Sequence, residues 1–292
     1  MTVKTTVKSP AQESVPLACF KVLAAPYLRT TALRCVASIF RNFFFLQYRA
    51  AFLPGLIPVT AVDHPLDAAI PFLPGKVNVY LDFTAFWIRC LGFLNRNFGR
   101  KAQEMMRHFL ESTGTLYEWA AEVYRKNLST TNRPFYISRP RFFLIHMVDP
   151  HLMCIPSLHV MVVIHTYTLF REITKTLGEE DRCAAAAEEL HRGALAITEA
   201  VLYVKQHSVN CISAAMYAMT RYNTRLFPPA EAERFVSCLF ADTETTTAEL
   251  TGSAVGEVRG HILSLYRHFL AEGEKSDEWT KPLLDFLKSM EK

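Results

Sequence analysis

Three short stretches carry residues whose types and spacing suit chemistry on a phosphate. In the first, Lys126 is followed after six residues by Arg133-Pro134. Lysine is a mobile point charge and arginine a planar fork, and together they suit a tetrahedral dianion. Arg139-Pro140-Arg141 is a second basic turn nearby, so this stretch alone leaves the choice of arginine open. In the second, Pro156-Ser157-Leu158-His159 opens an apolar run. A proline at the first helical position is pre-set for a helix, and the free N–H groups of a helix start favour an anion. Ser157 can donate to a phosphate oxygen, and His159 can give or take a proton near neutral pH. In the third, VLYVKQHSVNC, Lys205 and His207 sit at a junction between two helical patterns. Burying both is costly unless they share an anion. Each stretch also has a plain structural reading: a capped core helix, a solvated helix end, a satisfied histidine.

The elements that must hold these residues read as helices. CIPSLHVMVVIHTYTLF, residues 154–170, has no Asp, Glu, Lys or Arg and is too evenly apolar for a surface helix, which predicts a buried central one. Residues 101–127 are amphipathic, with Met105, Phe109, Leu116, Trp119 and Val123 on the apolar face. Residues 77–95 carry Asp82 and Arg89, and residues 182–205 are rich in alanine and charge. Residues 207–221 give a further helix. Tyr27 to Phe52 is aromatic and interrupted by Arg34, Arg41 and Arg49. It reads as a core helix with snorkelling arginines, the alternative being a helix lying at a membrane interface. No alternating strand pattern occurs. The expectation is an all-α fold with a loosely ordered arm at 1–25, a six-helix core bundle at 26–226 and a C-terminal helical extension at 227–292. The extension includes the acidic, threonine-rich ADTETTTAEL, residues 241–250.

Composition narrows the function classes. Half of the 292 residues are hydrophobic and 21% are charged, as in a globular chain. A net charge of +4 is far below a nucleic-acid binder's basic stripe, yet it permits contact with an anionic lipid or a phosphorylated substrate. Seven scattered cysteines without a CxxC pair argue against a disulfide framework or a zinc site and for a reducing compartment. The first twenty residues do not read as a secretory signal. Charges within 101–127 and 182–205 would each cost about 2.5 kcal/mol or more at a bilayer centre. A cytoplasmic or peripheral-membrane location is therefore expected, with an integral one as the alternative. No metal or cofactor is expected.

Taken in order, the three stretches resemble the type 2 phosphatidic-acid phosphatase and vanadium haloperoxidase superfamily. Its pattern is a lysine, six residues and Arg-Pro; then Pro-Ser-small-His; then a histidine with an aspartate four residues on. The leucine at 158, together with Val148-Asp149-Pro150, Ile70-Pro71-Phe72-Leu73-Pro74 and Lys205-Gln206-His207, is similar to the Pro-Ser-Leu-His branch. The resemblance covers about residues 60–225. It implies that bundle fold and a metal-independent phosphohydrolase or phosphotransferase with a phosphohistidine intermediate. His207 would be the nucleophile and His159 the general acid and base. Lys126, Arg133, Ser157 and Lys205 would hold the phosphoryl oxygens. The substrate would be a phosphorylated small molecule or a lipid phosphate. Two positions depart from the pattern. The aspartate that orients the nucleophile falls on Cys211, with Asn210 beside it, and the usual arginine six residues before the histidine is Val201. Three readings stay open: an enzyme, a phosphate- or headgroup-binding pseudoenzyme, and a vanadate-dependent haloperoxidase.

Overall fold

The computed structural model describes residues 9–241 and 251–291. Among these residues the chain is all-α apart from one pair of three-residue strands. Its centre is α8 (Leu158–Thr176), whose residues from Val160 to Phe170 are all buried. Around it lie α5 (Phe83–Phe98), α6 (Gln103–Tyr124), α9 (Glu180–Tyr203) and α10 (Val209–Tyr222). The absence of charge from Val160 to Phe170 follows from this placement, because no face of that stretch meets water, whereas Arg171 and Lys175 lie on the exposed last turns. Its polar side chains are satisfied internally: Thr166 donates to the Val162 carbonyl at 2.7 Å, and Thr168 to that of Ile164 at 2.8 Å.

Several elements differ from the sequence pattern. The predicted loose arm is ordered from residue 9 onward; residues 1–8 lie outside the described part. Ser9 donates to Glu189 at 2.8 Å, and α1 (Val15–Ala24) packs on α5. Small residues make that contact: a Cβ at Gly92 would stand 2.8 Å from the Ala18 Cβ. Glu13 and Arg96 close it with an ion pair at 2.6 Å. The 27–52 segment is not one core helix. It divides into α2 (Pro26–Ile39), a π-helical turn (Phe40–Phe45) and α3 (Leu46–Phe52). Only one face of α2 meets α6, where Gly114 admits the Cys35 backbone and the Ser38 side chain closely. The 77–95 helix breaks at Asp82 into α4 (Val77–Leu81) and α5, and Asp82 pairs with Arg89, 2.9 Å from Oδ1 to Nη1. Among the described residues one helical stretch, Pro74–Tyr124, is long and apolar enough to cross a membrane, with half of its apolar window buried.

The strands β1 (Val59–Ala61) and β2 (Leu128–Thr130) pair in parallel, and Ser129 also bridges Met153. They are too short to leave an alternating signature, yet they fix where the loops between α6 and α8 run. The short helix α7 (Pro140–Val148) lies in that region. The C-terminal segment is α11 (Pro229–Cys238), α12 (Gly252–Gly273) and α13 (Lys281–Met290). It packs on the bundle: Tyr217 donates to the Trp279 carbonyl at 2.9 Å, and the Thr220 and Tyr266 hydroxyls meet at 3.0 Å. Most of the acidic, threonine-rich stretch, 242–250, lies outside the described residues.

Enclosed histidines make stability depend on pH. His165 on α8 is fully enclosed, its Nε2 3.0 Å from the Ser112 hydroxyl, and burial, then His108, lowers its pKa to about 3. Burial, then the neighbouring His64, lowers His261 to about 4. The unfolded chain therefore takes up protons below pH ~6.5 that the folded protein refuses. Stability from these groups is complete above that pH and falls as pH drops toward 4. His151 shifts the other way, raised by Cys154 and Asp149 against its burial, and offsets part of the loss. Each refusing histidine contributes a slope of about 1.4 kcal/mol per pH unit. Denaturant unfolding at pH 7 and pH 5 should show that fall, and His165→Gln should flatten it by about one histidine's share. An unchanged slope in the variant would remove His165 from the account.

Candidate active site

The second and third stretches meet at the start of α8. Pro156 lies before the helix, not at its first position, because Ser157 is the N-cap residue. Tyr124 at the end of α6 donates to the Pro156 carbonyl and fixes the turn. Across from it, His207 sits just ahead of α10, where Ser208 is the N-cap residue and accepts from the Asn210 N–H at 3.3 Å. His207 and His159 are in direct contact, Nε2 to Nδ1, at 3.3 Å. Their rings stand edge to face at 5.3 Å, and Tyr80 stacks on His159 from the other side at 4.6 Å. Burial, reinforced by His207, holds His159 well below its ordinary pKa. The free protein therefore keeps it neutral.

Two buried polar atoms beside this pair have no partner: the Ser157 hydroxyl and His207 Nδ1. Such atoms are rare in folded proteins and mark places where another group belongs. The histidine pair opens on a small recess lined also by Phe43, Gln47, Tyr80, Asp149, His151 and Cys154.

Arg133 braces the recess from behind. Its Nη1 donates to Gln206 Oε1 at 3.1 Å and its Nη2 to the Asp149 carbonyl at 2.9 Å. One planar fork thus ties the segment before His207 to the segment before Ser157, which a single ammonium would do less well. The Asp149 carboxylate accepts from Gln47 and from the His151 N–H, each at 2.9 Å. That turn keeps His151 at φ 58, a left-handed backbone that only local bonding makes tolerable.

The sequence pattern predicts Lys126 and Lys205 at the anion; the structure directs both elsewhere. Lys126 is about half exposed and pairs with Glu278 of the C-terminal segment. Lys205, at φ 56, donates to the carbonyls of Asp67 and Ile70 and lines a separate open pocket with Asp63, His64 and Asn132. An ammonium held by two chain carbonyls is anchored there, so proximity in sequence to His207 does not bring it to the recess. Asn210 is occupied too: its Oδ1 meets His261 Nε2 at 2.8 Å and its amide donates to the Val62 carbonyl at 3.1 Å. It is not the acceptor for His207.

Cys211 lies in the first turn of α10 and is fully buried. Burial pushes its thiol up, and the hydrogen bond it shares with Cys154 pushes further, so it stays protonated. Cys154 in turn lies 3.7 Å from His151 Nε2. Burial opposes its ionisation, while the contacts with Cys211 and His151 favour the thiolate and prevail. Asp149, His151, Cys154 and Gln206 were not singled out as site residues by the sequence. The signal for them was the DPHLMC segment running straight into Pro156, and the glutamine next to His207. Among the described residues no group of three His, Cys, Asp or Glu side chains is arranged to hold a metal ion.

Comparison with known proteins finds no matching family model, no matching curated protein and no matching solved structure.

Proposed function

We propose that the protein is a metal-independent phosphohydrolase or phosphotransferase that works on a phosphate ester through a phosphohistidine at His207. In this reading α2, α5, α6, α8, α9 and α10 form the six-helix core of the phosphatidic-acid phosphatase and haloperoxidase type. The observation that carries it is the 3.3 Å contact of His207 with His159 beside two unpartnered buried polar atoms. An entering phosphoryl group would part the rings and take up the orphaned Ser157 hydroxyl. The lone pair of His207 Nε2 attacks phosphorus, the P–O ester bond breaks, and the leaving oxygen takes a proton from His159. Water then gives its proton to His159 and attacks phosphorus, the P–N bond breaks, and phosphate leaves. Ser157 donates to the equatorial oxygens, while Arg133 supplies positive charge close behind. Because burial keeps His159 neutral in the free protein, the dianion's charge has to restore its proton, which favours turnover on the acid side of neutrality.

Orthovanadate, a pentavalent mimic of the transferring phosphoryl group, should raise the melting temperature. A ligand confined to the folded state at a hundred times its Kd adds about 2.7 kcal/mol. Calorimetry with and without vanadate, in the presence of a chelator, measures it. No shift at millimolar vanadate would overturn the reading. A second reading, a phosphate-binding protein without turnover, is favoured by the neutral thiol at 211 and the two diverted lysines. It predicts the same vanadate shift and no hydrolysis of any phosphomonoester.

A further inference from the structure

The large apolar side chains left exposed are not scattered. Among the described residues all but Met290 lie in residues 17–59 and 135–148. The first group belongs to α1, α2, the π turn, α3 and the stretch from α3 into β1; Phe20, Phe40 and Phe52 are each more than 60% exposed, at 68%, 63% and 80%. Leu23, Val36, Phe40 and Phe44 border one open groove of about 840 Å³, floored by Trp87, Leu91 and Leu110 from α5 and α6. The second group sits on and just before α7, where Phe143, Leu144 and Met147 face out. Tyr48 on α3 donates to the Val148 carbonyl at the end of α7, so the two groups adjoin. An apolar surface of this size on a monomer marks a binding face.

Charge decides what covers it. From residue 14 to residue 62 the chain has no Asp or Glu. Lys21, Arg29, Arg34, Arg41 and Arg49 are all exposed within it. A two-fold dimer through this face would set one copy's cations against the same cations of the other. An anionic bilayer instead neutralises them while its acyl region takes the aromatic side chains. We infer that the face made by α1, the α2–α3 segment and α7 docks on an anionic phospholipid membrane, with the apolar groove receiving acyl chain. The inference stands apart from the phosphoryl-transfer reading, although the two adjoin: Phe43 and Gln47, on the inner side of the same segment, line the histidine recess. Docking would therefore bring that recess to headgroup level.

The test is sedimentation of the full chain with vesicles of phosphatidylcholine alone and of phosphatidylcholine mixed with phosphatidylglycerol, without any substrate. The wild type should bind the mixed vesicles, release at high salt or in carbonate, and bind the neutral ones at least about tenfold more weakly. Phe40→Asp with Phe44→Asp should weaken binding to the mixed vesicles at least about tenfold, and Arg34→Glu with Arg41→Glu by a similar factor. Arg192→Glu on α9, an equal change of charge per site on another face, should leave it unchanged. All these side chains are exposed, so melting temperatures should stay at the wild-type value and confirm folding. Equal binding to both vesicle types, wild-type binding by either double variant, retention after carbonate, or a dimer that Phe40→Asp dissociates would each overturn the proposal. None of these readouts depends on turnover, so failure here and failure of the phosphatase reading are separate results.

Discussion

Cys211→Asp is expected to raise metal-independent hydrolysis of phosphomonoesters at least about tenfold, which is about 1.4 kcal/mol off the barrier. His207 Nδ1 is buried without an acceptor, so no carboxylate holds the ring's tautomer and orientation from that side. A thiol accepts poorly, and the one at 211 is already engaged with Cys154. In catalytic triads the loss of the orienting carboxylate's charge costs about ten-thousand-fold while the geometry survives. A carboxylate in the first turn of α10 would also face the positive end of that helix. The site is fully buried and Asp67 adds like charge, so the variant should lose about 1–3 kcal/mol of stability. Rates are therefore compared per folded molecule, from initial velocities at a pH just below neutral. Adding His207→Ala should abolish the gain, because the carboxylate would have nothing to orient. A folded Cys211→Asp protein that binds vanadate yet turns over no faster would decide for the binding protein over the enzyme.

The second large effect separates two cations that the sequence pattern treats alike. Arg133→Ala should lower kcat/KM by about 10²–10³-fold, on the scale of losing one preorganised electrostatic group beside a developing oxyanion. It also cuts the link between Gln206 and the Asp149 carbonyl, so both histidine-bearing segments lose their common brace. Arg133→Lys should recover little, since one ammonium cannot span both acceptors in the plane of a guanidinium. Lys126→Ala should stay within about fivefold of wild type, because a half-exposed pair with Glu278 contributes little. If Lys126→Ala proves as damaging as Arg133→Ala, the lysine leaves Glu278 when substrate arrives and the anion site is larger than the resting structure implies.

Much of the architecture was legible because it rests on hydrophobic period. The uncharged 154–170 run could only be a buried helix, and α6 and α9 announce one wet face each. The short parallel pair was not legible, since three residues are too few for an alternation to register. Nor was the ordering of α1, which depends on Ala18 meeting Gly92 from far along the chain. The 27–52 segment misled in an instructive way. Its aromatic content looks like core, but the helices it would need on its outer side do not exist among the described residues. Within the site, residue types suggested the histidine pair and the basic residues, while the partners of Lys126, Lys205 and Asn210 come from segments remote in sequence. Glu278, the Asp67 and Ile70 carbonyls and His261 carry no local mark that they will capture those groups.

The protein has three tryptophans, and their placement divides its optical signal. Trp119 of α6 and Trp279, just before α13, stack with ring centroids 4.3 Å apart and planes 6° from parallel, close enough for their excited states to couple. The third, Trp87, floors the apolar groove. Near-ultraviolet dichroism of the pair therefore reports whether the C-terminal helices are seated on the bundle, while the emission maximum of Trp87 responds to whatever enters the groove. A single unlabelled sample thus carries two independent colour readings, one for the closure of the chain upon itself and one for its opposite face.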